Sequence, residues 1–200
     1  MRRVLLCVLL LTPAAQAHRL DEYLQATLIG ITRTGIELEL QLTPGVAVLP
    51  LVLSVIDRDH NGRISPEEER AYASLVAREV ELKVDGAPAV LALMESTFPD
   101  LAAMQSGLGS IRIRLRTERT GRQVRFENRH LPKISAYLVN CLADPASKLA
   151  IGPQQRDEAQ RSILFEYSFG SEVTSRQWLF WPAAVGILLL ARTAMLAYRR

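Results

Sequence analysis

The sequence contains few of the residues that mark cross-linked, fibrous or disordered proteins. Among 200 residues there are two cysteines, 10 prolines and 11 glycines, whereas 48% of the residues are apolar. This composition excludes a collagen-like or disordered chain. Cys7 lies in a segment that we expect to be removed, so Cys141 would have no disulfide partner. The domain must therefore be stabilised by its hydrophobic core.

The motifs of the common catalytic sites are also missing. The sequence has no G-x-S-x-G, H-E-x-x-H, phosphate-binding loop or C-x-x-C. Cys141 and His130 could in principle form a nucleophile and its base. However, Cys141 lies in the apolar segment YLVNCL, where a buried and unreactive thiol is expected. We therefore expect a protein that is not an enzyme.

The excess of basic residues is confined to the two ends of the chain. The formal net charge is +3, but residues 18–176 hold 19 of the 24 Lys and Arg together with all 21 Asp and Glu. The remaining basic residues are Arg2, Arg3, Arg192, Arg199 and Arg200. Basic residues placed in this way indicate membrane topology, and no nucleic-acid partner is expected.

Both ends have the pattern of targeting or membrane segments. Residues 1–17, MRRVLLCVLLLTPAAQA, have a basic start, an apolar run and a small-residue close, which predict a signal peptide cleaved after Ala17. Residues 177–198 are largely apolar, with tryptophans at one boundary and arginines at the other, which predicts a transmembrane helix. We expect a single-pass inner-membrane protein with residues 18–176 extracytoplasmic (periplasmic) and residues 199–200 as a cytoplasmic tail.

Alternation of apolar and polar residues between these ends predicts an α+β domain that is mainly an antiparallel β-sandwich. A strand at 36–42 would pair with one at 23–32 through a turn at Thr34–Gly35. Asp85–Gly86 predicts a hairpin turn between strands at 80–84 and 90–93. Further strands are predicted at 110–116, 123–127, 134–140 and 161–169, and a surface loop at 144–159.

The motif that carries chemistry is DRDHNGRISPEE, residues 57–68, which matches the calcium loop D-x-[DN]-x-[DN]-G-x5-E. Calcium is bound by roughly six to eight oxygen atoms, so the loop must fold its own chain around the ion. Gly62 permits the positive φ that this fold needs. We expect Arg63 to contribute its carbonyl oxygen and Glu68 both carboxylate oxygens. The expected ligands are Asp57, Asp59, Asn61, Arg63, Ser65 and Glu68.

Helices are predicted on both sides of the loop, and together they form an EF-hand at about residues 46–80. The incoming helix, 48–56, is apolar on all sides and is expected to be buried. The outgoing helix should have Ser65 as its N-cap and Pro66 in its first position. The sequence has no second loop of this kind. A single loop with three carboxylates should bind calcium at roughly 10⁻⁵ to 10⁻³ M, which suits an ion that is structural or modulates a partner interaction.

A basic face is predicted on the strand at 110–116. Arg112, Arg114 and Arg116 alternate with apolar residues and therefore share one side of the sheet. Arg119, Arg122 and Arg125 follow on the turn and the next strand. We expect this face to be solvated and paired with Glu118 and Glu127, with binding of an anionic partner or of lipid headgroups as the alternative.

Three segments resemble the extracytoplasmic domain of bacterial membrane proteins related to the HupE/UreJ family: HRLDEYLQATL at 18–28, the calcium loop, and FENRHLPKISAYLVN at 126–140. Fuller members of that family continue into a multi-span, permease-like domain associated with nickel or cobalt transport, whereas this chain has one predicted span. The resemblance therefore implies a permease or another envelope protein as a partner, with a stand-alone anchored sensor as the alternative. The alternative function is accessory handling of nickel, cobalt or copper through His18, which signal cleavage would make N-terminal.

Overall fold

The computed structural model describes residues 21–143 and 148–170. The predicted signal peptide, His18 and the predicted transmembrane helix lie outside these residues. No helix in the described ranges is long and apolar enough to cross a bilayer. The elements are β1 Tyr23–Thr32, β2 Gly35–Pro44, α1 Leu49–Ile56, α2 Pro66–Glu79, β3 Val80–Val84, β4 Ala87–Pro88, β5 Ala92–Thr97, α3 Leu101–Gln105, β6 Ile111–Thr117, β7 Gln123–Asn128, β8 Ser135–Cys141, β9 Leu149–Ile151, β10 Gln155–Arg156 and β11 Ser162–Phe169.

The strands form two sheets, and the prediction of a mainly β domain is confirmed. One sheet has the order β5-β6-β2-β1-β8, and the other has the order β10-β11-β7-β3-β4, with β9 paired to β11. The neighbouring strands run antiparallel except for β1 and β8, which run parallel with Tyr23 opposite Ser135. Inward-facing side chains from both sheets belong to one hydrophobic core.

The period-two pattern explains the central strands of the first sheet. In β2, Leu38 and Leu40 are buried while Glu39 between them is exposed, because successive side chains of a strand point to opposite faces. The predicted hairpin of β1 and β2 is confirmed. Its turn is tight against β6, since a β-carbon on Gly35 would lie only 2.2 Å from the carbonyl oxygen of Thr117. Only glycine fits this position without moving the backbone.

The prediction that residues 90–93 return as a strand along β3 is wrong, although residues 92 and 93 begin the strand β5. The two-residue turn at Asp85–Gly86 is present, but only the two residues of β4 return along β3. The chain then crosses to the other sheet, where β5 pairs with β6. The Asp85 carboxylate accepts the backbone N–H groups of Arg122 and Gln123, so it stabilises the turn against the connection between β6 and β7.

The structure corrects two further predictions, and it contains a short helix, α3, that the sequence did not predict. The incoming helix is present as α1, but Leu51 is 55% exposed, so it is not buried on all sides. Leu49, Val52 and Ile56 form its buried side, because a helix that packs on one side buries residues three or four apart. The segment 144–159 is not all loop, since β9 and β10 lie within it.

The connections place the helix pair and the end of the described chain at opposite ends of the domain. Helices α1 and α2 follow β2 at Pro44, which pairs with Tyr23 at the start of β1. The turn between β1 and β2 lies at the other end, which we call the turn end. It also includes the turn between β3 and β4, the connection between β6 and β7, and Phe169. The guanidinium carbon of Arg33 lies 5.0 Å from the centre of the Phe169 ring, which joins the two sheets there.

Candidate metal centre

The loop between α1 and α2 brings three of the predicted ligands together. Carboxylate oxygens of Asp57, Asp59 and Glu68 lie within 4.8 Å of one another. Two ligand atoms that each lie about 2.4 Å from a common ion can be no more than about 4.8 Å apart. The spacing of the three carboxylates is therefore compatible with one shared cation.

Of the other predicted ligands, Asn61 and Ser65 hydrogen-bond to this cluster, and Arg63 hydrogen-bonds to Asn61. The Asn61 amide nitrogen donates to an Asp59 carboxylate oxygen at 2.6 Å, and the Ser65 hydroxyl donates to Glu68 Oε2 at 2.8 Å. The backbone N–H of Arg63 donates to the Asn61 side-chain oxygen at 2.8 Å. Each of these residues thus has a role in the local structure of the loop. The Arg63 carbonyl remains a predicted ligand.

Backbone geometry explains how the chain closes around the carboxylates. Gly62 has φ +77°, as the motif predicts, and the preceding residues turn sharply enough for His60 to adopt φ +56°. The Gly62 N–H consequently points back to Asp57 Oδ2 at 3.0 Å, and the Asn61 N–H points to Asp57 Oδ1 at 3.1 Å. The first carboxylate is therefore oriented by the same turn that the glycine allows.

The start of α2 orients Glu68 and keeps it charged. Ser65 is the N-cap, and Pro66 lies in the first turn, as predicted. The Ser65 hydroxyl accepts the Glu68 N–H, while the Glu68 carboxylate accepts the Ser65 N–H, which is a capping box. The Ser65 backbone and hydroxyl, together with the Arg58 N–H, lower the pKa of Glu68 to about 2. Glu68 is therefore a carboxylate at any physiological pH.

The donor set indicates which ions the loop can bind. Its side chains offer carboxylate, amide and hydroxyl oxygens and no thiolate. Oxygen donors of this kind suit hard divalent cations, whereas softer metals prefer nitrogen or sulfur ligands. Asp59 and Asn61 are exposed, so water could complete the coordination. The chemistry of the loop therefore fits a hard cation.

His130, which the sequence offered as a base for Cys141, is fully buried. Its Nε2 is 2.8 Å from the hydroxyl of Tyr72, which is 2.6 Å from the hydroxyl of Tyr23. Its Nδ1 contacts the Glu79 carboxylate. Both ring nitrogens are occupied, so His130 is not available to a metal ion or to a nucleophile. Burial lowers the pKa of His130, although Glu79 opposes that shift.

Sequence reasoning missed this polar network, which holds α2 at its far end. Tyr72 and Glu79 both lie on α2, and both contact His130, while Glu68 lies at the start of the same helix. The alternation of β1 places Tyr23 on the inner face, but nothing local pairs it with a tyrosine 49 positions away. The network therefore connects the helix that carries a candidate ligand with the first strand of the sheet.

Cys141 is a free and buried thiol, as predicted. Its burial raises the pKa of the thiol to about 12, so the reactive thiolate is scarce at neutral pH. The Cys141 N–H and carbonyl face the Gln154 side chain, which accepts at 3.4 Å and donates at 2.8 Å. These contacts assign Cys141 to the core of the domain.

The three arginines of β6 share the outer face of the first sheet, as predicted, but their predicted partners are wrong. Arg114 pairs with Glu37 and Glu95, and Arg116 pairs with Glu37. The reason is that β6 lies between β2 and β5, so its side chains meet the glutamates of those strands. Glu127 lies on the other sheet and pairs with Arg129.

Comparison with known proteins assigns no family to the chain. No protein-family model matches the sequence, and no curated protein matches it with significant similarity. The geometry of the loop between α1 and α2 is therefore the main indication of function.

Proposed function

We propose that this protein is a calcium-binding, membrane-anchored domain that faces the outside of the inner membrane. Residues 57–68 would act as a single EF-hand loop inserted in a β-sandwich-like domain. The observation that carries this proposal is the approach of Asp57, Asp59 and Glu68 to within 4.8 Å around a glycine-dependent turn. Without a cation these three charges repel one another, so an ion of two positive charges would stabilise the loop.

Calcium fits this loop better than magnesium. Calcium accepts irregular coordination with roughly six to eight oxygens, whereas magnesium requires a near-ideal octahedron and gives up its water reluctantly. The loop has no second EF-hand partner in the sequence, which favours weak affinity and a structural ion. The ion would fix the angle between α1 and α2 and could thereby modulate contact with an envelope protein or permease.

Calorimetric titration of the purified full chain tests the proposal. Calcium should bind with one-to-one stoichiometry, and Asp57→Asn should weaken binding at least about tenfold because it removes one of three ligand charges at the position where the motif requires aspartate. Glu69→Gln removes the same charge one residue beyond the cluster and should have little effect. Equal affinity in wild type and Asp57→Asn would overturn the proposal.

The alternative function, metal handling through His18, has less support. His18 lies outside the described residues, and His130 is buried with both ring nitrogens in hydrogen bonds. The same calorimeter can test it with nickel, cobalt and copper. Tight binding of one of these ions that is lost when the N-terminal amine is acetylated would favour the alternative.

A further inference from the structure

Four exposed cations surround the point where the described chain ends. They are Arg33, Arg119, Arg122 and Lys148. Arg33 lies in the turn between β1 and β2 and stacks on Phe169, with its guanidinium carbon 5.0 Å from the ring centre. Lys148 directly precedes Leu149, which pairs with Phe169 in the sheet.

The connection between β6 and β7 brings the other two cations to the same place. The Arg122 carbonyl accepts the Tyr167 N–H, and the Gly121 N–H donates to the Tyr167 hydroxyl at 3.0 Å. Arg119 donates from its guanidinium to the carbonyl oxygen of Pro88, beside the turn between β3 and β4. The cations thus come from three separate connections that meet at the turn end.

Carboxylates at the turn end only partly balance this charge. Asp85 is exposed, and its carboxylate accepts two backbone N–H groups of the connection between β6 and β7. These hydrogen bonds, together with the charges of Arg122 and Arg119, lower the pKa of Asp85, so it offsets part of their charge. Glu118 is exposed beside Arg119, and Glu166 lies further up β11, opposite Gln123. The three clustered carboxylates of the calcium loop lie at the other end of the domain. The domain is therefore polarised, with its acidic cluster remote from the four cations.

The position of the chain end indicates what these cations face. Seven residues separate Phe169 from Gln177, the first residue of the predicted membrane span. Even a fully extended chain covers no more than about 3.6 Å per residue, so an anchored domain keeps its turn end within about 30 Å of the bilayer. Anionic lipids attract Lys and Arg, and each such residue near the surface strengthens the attraction roughly fivefold.

We propose that Arg33, Arg119, Arg122 and Lys148 form a binding surface for the anionic headgroups of the bilayer that anchors the chain. This inference rests on the membrane anchor included in the proposed function. It orients the domain with the turn end on the membrane and the calcium loop at the far end. A calcium-dependent partner would then meet the loop away from the lipid surface.

Fluorescence quenching in nanodiscs tests this orientation with the full chain. A fluorophore is attached to Thr120→Cys, between Arg119 and Gly121, in a Cys7→Ser background; buried Cys141 stays unlabelled. A quencher is attached to the lipid headgroups. Discs of phosphatidylcholine alone are compared with discs that also contain phosphatidylglycerol, without divalent cations. The same fluorophore on Glu67→Cys reports on the helix end.

Quenching at position 120 should be several-fold stronger with phosphatidylglycerol and should weaken in high salt, because salt screens charges beyond a few ångströms. Position 67 should remain unquenched. Replacing Arg33, Arg119 and Arg122 by glutamine should remove the effect, whereas replacing all three by lysine should retain it, which separates loss of charge from loss of fold. The matched control neutralises three arginines elsewhere on the surface: Arg70, Arg78 and Arg112.

Two results would overturn the inference. In the first, the chain enters the discs but quenching at position 120 does not depend on phosphatidylglycerol or on the three arginines. The membrane anchor is then supported, and the proposed headgroup-binding surface is refuted. If the chain does not enter the discs, the anchor fails and the inference fails with it.

Discussion

The replacement Glu68→Gln separates the role of this side chain in the fold from its role in binding an ion. One carboxylate oxygen accepts the Arg58 N–H, and the other accepts the N–H and hydroxyl of Ser65. Glutamine occupies the same position in capping boxes and can retain the contacts with Ser65. The change also removes repulsion with Asp57 and Asp59. We therefore expect the calcium-free variant to remain folded.

The calcium-bound state should differ much more. An ion that binds only the folded loop stabilises the domain by about 1.4 kcal/mol at ten times its dissociation constant and by about 2.7 kcal/mol at a hundred times. In a domain of this size each kcal/mol raises the melting temperature by roughly 2 to 4 °C. Saturating calcium should thus raise the melting temperature of the wild-type domain by roughly 3 to 11 °C, and that of Glu68→Gln by far less.

Thermal unfolding followed by circular dichroism measures both states. Each protein is melted with calcium and with a calcium-selective chelator, and Glu69→Gln serves as the control for loss of one negative charge. The control should keep the wild-type shift. An equal calcium shift in wild type and Glu68→Gln would refute the reasoning, because the loop would then not be where calcium stabilises the fold.

Three further predictions concern the domain and its anchor. Gly35→Ala should lower the free energy of unfolding in denaturant by about 1 to 3 kcal/mol, since its β-carbon would lie 2.2 Å from a backbone oxygen of β6. Gly30→Ala, whose nearest neighbour is 3.9 Å away, should be tolerated, and equal effects would contradict the argument. Burial lowers the pKa of His130 in the folded domain, so the unfolded chain takes up a proton at a higher pH than the folded chain does. Stability should therefore fall as the pH drops below about 6.5. His130→Gln should flatten this slope in a pH series of unfolding curves, and an unchanged slope would assign it to other groups. Protease added to spheroplasts should degrade residues 18–176, and protection of that segment would reverse the predicted topology.

Much of the loop geometry could be predicted because its contacts are local. The residues that orient the three carboxylates lie within residues 57–68, and the Ser65 cap contacts a residue three positions away. Short-range contacts of this kind depend on residue type and spacing, both of which a sequence displays. The same is true of β2 and β6, whose alternation states which side chains face the core. That calcium is the ion bound stays a prediction.

Only the tertiary structure decided features that depend on distant parts of the chain. The turn at Asp85–Gly86 is local, but the crossing of β5 to the other sheet depends on the open edge of β6, which no local pattern displays. The His130 network joins residues 49 to 58 positions apart, and it forms because polar groups enclosed in a core must find hydrogen-bond partners. The sequence determined the alternating strands, the capped helix and the ligand spacing, since each is set by neighbouring residues. The packing of two sheets decided which distant side chains share the core, because burial depends on the whole fold.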